Sequence, residues 1–86
     1  MTRGIKHNHP TVLEQDRVML KRGYISAHRL AERLGVSVGT VYRRCNDGTY
    51  KFVFFTNRKY IQILSVAETF PQDLAREVEE DLRRVD

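Results

Sequence analysis

Tryptophan is absent from this chain, cysteine occurs once and proline twice. No stretch approaches the roughly 18 consecutive apolar residues of a membrane span. One cysteine excludes an intramolecular disulfide framework, so a reducing, cytoplasmic setting is expected. The first 25 residues hold no long apolar run of the kind a signal peptide needs. Five glycines are scattered singly, and none belongs to a phosphate-cradling loop of known form. No Ser-His-Asp order and no paired carboxylates in an evident pocket appear, so no catalytic residue is assigned and the chain is not expected to be an enzyme. His7, His9, His28 and Cys45 match no structural zinc spacing. No metal or other cofactor is expected, and Cys45 reads as a small buried residue.

Eighty-six residues suit one domain at the small end of what folds unaided. With four Phe, four Tyr and 41% apolar residues, the core is modest. Charge is unevenly spread. Residues 1–71 carry twelve Lys or Arg against five Asp or Glu, and residues 72–86 carry three against six. A basic body with an acidic tail suits a polyanion surface with one segment turned away from it.

The stretch from Ser26 to Tyr42 organises the rest. Leu30, Ala31 and Leu34 share one face of a short helix, Ala27–Leu34. Ser26 is placed to cap it, and Gly35 to end it in a left-handed turn. Ser37 then caps a second helix, Val38–Asn46, with Val41 and Cys45 inward and Gly39, Thr40 and Arg43 outward. Two short helices around a tight turn, the second polar and basic outside, are the parts of a DNA-reading motif.

Around this stretch, residues 1–10 read as a flexible basic arm. Thr11 to Arg22 has helical periodicity, with Thr11 and Glu14 at capping-box spacing. Val12, Leu13, Asp16, Met19 and Leu20 would form its inner face. Tyr24-Ile25 is an extended lead-in. Lys51 to Ile63 reads as a β-hairpin with Thr56-Asn57-Arg58-Lys59 at its tip. Both faces of Phe52–Phe55 are apolar, so one needs a cover from the first helix, the last helix or a second copy. Ser65 to Phe70 is ambiguous, a helical turn at most. Residues 71–85 form a final helix with Leu74, Val78, Leu82 and Val85 on one stripe, packed on its own domain or on a second subunit.

The segments LAERLGVSVGTVYRRCNDGTY and KFVFFTNRKYIQIL resemble the winged helix-turn-helix of the excisionase and MerR-like superfamily, over about Tyr24 to Leu64. The L-G-V turn, the S-x-x-T-V-Y-R helix, Asp47-Gly48 and Arg58-Lys59-Tyr60-Ile61 carry the resemblance. It implies a mainly α fold with a small β-hairpin: a helix-turn-helix over 26–46, a wing over 51–63, and flanking terminal helices within a single domain, 11–86. Two positions depart from the pattern. His28-Arg29 stands where the family has an early acidic residue, and Arg44 where it often has Trp, whose space Phe52 or Phe54 would fill.

The resemblance implies sequence-specific binding of double-stranded DNA, as a small transcriptional regulator or a recombination-directionality or architectural factor. The chain would be nucleoid-associated, a dimer or multimer along DNA, with another DNA-bound protein as a possible neighbour. Arg43 is the expected base reader. Ser37, Gly39, Thr40 and Tyr42 would meet the phosphate backbone, with Arg44 beside them. Asn57, Arg58 and Lys59 would enter the minor groove or touch phosphates. Competing structural roles are a core aromatic for Tyr42, a surface ion pair for Arg44 and a solubilising tip for Arg58-Lys59. Arg29 and Arg33 either flank phosphates or sit on a solvated face. The rival function is a protein-interaction module using the same scaffold and the acidic last helix.

Overall fold

The computed structural model describes residues 12–84, so the basic arm, the Thr11 cap and Val85 lie outside the described residues. The chain is mainly helical, with one small antiparallel sheet. In order it runs α1 (Val12–Lys21), β1 (Tyr24–Ser26), α2 (Ala27–Leu34), α3 (Val38–Asn46), β2 (Phe52–Phe55), β3 (Arg58–Gln62), α4 (Ile63–Ala67) and α5 (Gln72–Arg83).

Local chemistry sets the α2–α3 boundaries. The Ser26 hydroxyl accepts the Arg29 N–H at 3.2 Å, and the Ser37 hydroxyl accepts the Thr40 N–H at 3.2 Å. Each satisfies a donor that the first helical turn leaves open. Between them Gly35 adopts φ 71°, and its N–H reaches back to the carbonyls of Ala31 and Glu32. A side chain would strain that left-handed turn.

The lead-in at Tyr24 is a true strand. β1 pairs with β3, β3 pairs with β2, and β3 is therefore central. Ile25 lies opposite Ile61, and Phe52 opposite Ile61 on the other side. These residues share one face. They pack with Leu30, Val41, Val66 and Leu82 in the main core. Tyr60 points to the opposite face and is also fully buried. Its cover is α1: the Tyr60 hydroxyl donates to Asp16 Oδ1 at 2.6 Å and accepts from Gln15 Nε2 at 2.8 Å. The first helix thus covers Tyr60, while Val53 and Phe55 on the same face of β2 stay exposed, so the expected cover of that strand is missing among the described residues. The helix turns Gln15, Asp16, Met19 and Leu20 inward, while Val12 and Leu13 stay exposed. The inner face is rotated from the apolar one because Gln15 and Asp16 bind the strand's polar groups.

The hairpin tip is two residues, Thr56 and Asn57, both at positive φ. That is the backbone of a primed two-residue turn, whose twist matches the strands. Arg58 and Lys59 therefore belong to β3 and not to the tip. Phe52 packs on the core, while Phe54 is 64% exposed. The ambiguous stretch after β3 starts a helix at once: α4 begins at Ile63, and the buried Ser65 hydroxyl donates to the Gln62 carbonyl. Pro71 is the residue before α5, and its carbonyl accepts from Leu74 and Ala75. Leu82 is 1% exposed and Val78 packs against the same core, so α5 rests on its own domain. Glu79 and Arg83 pair along it at 3.0 Å.

Candidate nucleic-acid interface

The outer face of α3 carries a row of mutually bonded polar side chains. The Ser37 and Thr40 hydroxyls are 3.1 Å apart, and Arg43 donates to Thr40 Oγ1 at 3.1 Å. Ser37 and Arg43 are exposed and Thr40 is half-buried. Val41 and Cys45 turn the other way into the core. Burial pushes the Cys45 thiol up, which keeps it protonated and inert. Gly39 lies between Ser37 and Thr40 with open space around it: an added Cβ would meet only Ser37 Oγ, at 3.7 Å. Arg44 is exposed, one residue on.

After α3 the Asp47 carboxylate accepts the Thr49 N–H at 2.8 Å and the Thr49 hydroxyl at 2.6 Å. These bonds hold its carboxyl below the usual range. The turn directs the chain into β2.

Lys59 joins the two halves of the site. Its ammonium lies 4.9 Å from the ring centroid of Tyr42 on α3, 4.5 Å from Phe52 and 5.4 Å from Phe54. Phe52 and Phe54 meet edge to face at 5.7 Å. Three ring faces around one ammonium attract it electrostatically, by about 0.5–2 kcal/mol depending on desolvation. The hairpin therefore stands beside α3, on its side of the molecule. Tyr42 is half-buried, and packs against the core while bearing on Lys59.

Arg58 is held differently from its expected place at a free tip. Its guanidinium bonds Asp16 at 3.3 Å and donates to the Tyr60 hydroxyl at 3.3 Å. The bond to Tyr60 and the neighbouring Asp16 raise its already high pKa, so its charge is permanent. Thr56 donates to Gln15 Oε1 at 2.8 Å. Gln15, Asp16, Thr56, Arg58 and Tyr60 thus form one network that fixes the hairpin against α1. Burial, then the bond to Asp16, pushes the Tyr60 phenol up. Arg33 also leaves the open face, because its guanidinium turns to α5, 3.2 Å from the Arg84 carbonyl and 3.9 Å from Asp81.

Of the anticipated site residues, Ser37, Thr40 and Arg43 form one row, with Gly39 in it. Tyr42, Asn57, Arg58 and Lys59 gather where α3 meets the hairpin. Of the residues that position the hairpin, Asp16 was expected on the inner face of the first helix without a partner, and Gln15 carried no sequence signal. His28 and Phe54 were not expected in the site, Phe54 being read as a core filler, and both border this junction. Among the described residues no group of His, Cys, Asp and Glu is placed to hold a metal ion. Among them, too, no helix is long and apolar enough to cross a membrane. Comparison of the chain with protein-family models, characterised proteins and solved structures gave no match.

Proposed function

We propose that this chain is a winged helix-turn-helix protein that binds double-stranded DNA, with α3 in the major groove and the β2–β3 hairpin as the wing. The observation that carries this is the Lys59 ammonium seated against Tyr42, which sets a cationic hairpin beside an exposed polar and basic helix. A major groove about 12 Å wide accepts a helix and offers guanine acceptors to Arg43. Ser37 and Thr40 hydroxyls and the Gly39 backbone would take phosphates. The basic body favours a duplex. Regulation of transcription, recombination directionality and DNA architecture all use such a unit, and several copies along DNA would raise its affinity.

The test is binding to a mixed duplex pool across a salt series. Log affinity should fall linearly with log salt, by about 0.9 per phosphate contact. Arg43→Ala should relax preference at one base pair at a cost of roughly 1–3 kcal/mol, whereas Lys59→Ala should weaken all sequences alike and flatten the slope by about one contact. No duplex bound at low salt would reject the proposal. It would favour the interaction module, which has its own support: a groove of about 580 Å³ beside α5 is lined by Leu34, Phe70 and Val78 together with Glu77, Glu80 and Asp81 and the two cations Arg33 and Arg84.

A further inference from the structure

Between α2, α3 and the hairpin lies a cavity of about 150 Å³, lined by Ala27, His28, Tyr42, Asn57, Arg58 and Lys59. Its size excludes most ligands. Sites that take whole small molecules span roughly 300–1,000 Å³. A cavity of half that or less suits one compact group. Its chemistry narrows the choice further. Two fixed cations, an imidazole, a carboxamide and a phenol line it, and no carboxylate among the described residues does. Asp16, on α1, engages Arg58 by one guanidinium nitrogen, Nη2. Lys59 is held by its three aromatic neighbours, and among the described residues no acid is paired with it. Such a pocket is preorganised for a small, multiply accepting anion, whose oxygens take charge-assisted hydrogen bonds from several directions.

We infer that this cavity seats a single backbone phosphate of the bound duplex, the one where the strand passes from α3 to the hairpin. The inference rests on the duplex-binding function proposed above and makes it specific. The phosphate locks the hairpin's register relative to α3, because its oxygens reach both elements at once. His28, on the cavity wall, had no such role in the sequence pattern, and Asn57 was expected at the duplex only as part of the hairpin tip.

Two arms test it with the full chain. In the first, inorganic phosphate is titrated into the isotopically labelled protein at constant ionic strength, with chloride as control. Saturable backbone amide shifts are expected at His28, Asn57 and Lys59, and should vanish in the double variant His28→Ala, Asn57→Gly. That variant leaves the fold intact, since His28 is exposed and Asn57 has φ 66°, where glycine is at ease. In the second arm, each phosphate of a bound duplex is replaced in turn by a neutral methylphosphonate. One linkage per site should weaken the wild type about tenfold, the loss expected for a charged hydrogen-bonding partner. At that linkage the double variant should lose about twofold or less, while keeping wild-type sensitivity at the others. If the duplex binds but wild type and variant share one methylphosphonate profile, the pocket assignment is overturned and the duplex-binding function stands. If no duplex binds, both fall, and a saturable response to inorganic phosphate would then mark a site for a free anion instead.

Discussion

Gly39→Ala should raise the stability of this protein and lower its affinity for DNA, a pairing of signs that few substitutions give. Gly39 lies in the first turn of α3, outside the positive-φ glycines, and an added Cβ meets only Ser37 Oγ at an ordinary 3.7 Å. The fold itself therefore has no need of glycine there. Replacement by alanine restricts the unfolded chain and should stabilise by about 0.4–1 kcal/mol. For a domain of this size that raises the melting temperature by roughly 2–8 °C. On the duplex the sign reverses. The backbone between the Ser37 and Thr40 hydroxyls is the proposed point of close approach to the strand. A methyl forced into such a contact costs about 1–3 kcal/mol, by analogy with overpacked cores, or roughly 5- to 150-fold in Kd. Thermal melting and fluorescence anisotropy with one labelled duplex read the two effects separately. A less stable variant would contradict the local geometry of α3. A more stable variant with unchanged affinity would remove the close approach at Gly39.

Tyr60→Phe deletes a hydroxyl that bonds Gln15, Asp16 and Arg58. It should cost about 1–3 kcal/mol in urea unfolding, because partners are left unsatisfied; a loss within error would mean the network contributes nothing. Leu82→Ala should cost about 2–5 kcal/mol, and a chain ending at Phe70 should lose cooperative unfolding, since Leu82 completes the core; a stable truncated chain would show that α5 is dispensable. Burial raises the Tyr60 and Tyr50 phenols above their unfolded values. Their contribution is therefore full below about pH 10 and lost as pH rises beyond it. Asp47 is the reverse case: Thr49 lowers it, so its contribution is present above about pH 4 and lost as pH falls further. Urea midpoints across pH should decline at both ends, with the acid limb shallower in Asp47→Ala; an unchanged acid limb would remove Asp47 from the account.

The helices that carry local punctuation were legible in the sequence. Ser26, Gly35 and Ser37 each fix a backbone feature by their own chemistry: α2 begins and ends, and α3 begins, where those residues stand. What depends on distant partners was not legible. β1 is three residues long, too short for a period, and exists because Ile25 pairs with Ile61. The sequence places Asp16 on the inner face of α1 but not Gln15, which joins it because the Tyr60 hydroxyl, 45 residues away, needs a partner. The tip shrank to Thr56-Asn57 because both residues take left-handed conformations, which is unusual for a β-branched threonine. In the site, the outward set on α3 followed from helical spacing. The seat of Lys59 did not, since Tyr42, Phe52 and Phe54 converge only when strand register and helix packing are both set.

The most direct measurement is a map of backbone amide shifts when a selected duplex is added to the labelled protein. Changes should concentrate at Ser37–Arg43 and Thr56–Lys59 and spare Gln72–Arg83. A map centred on α5, or none at low salt, would contradict the account.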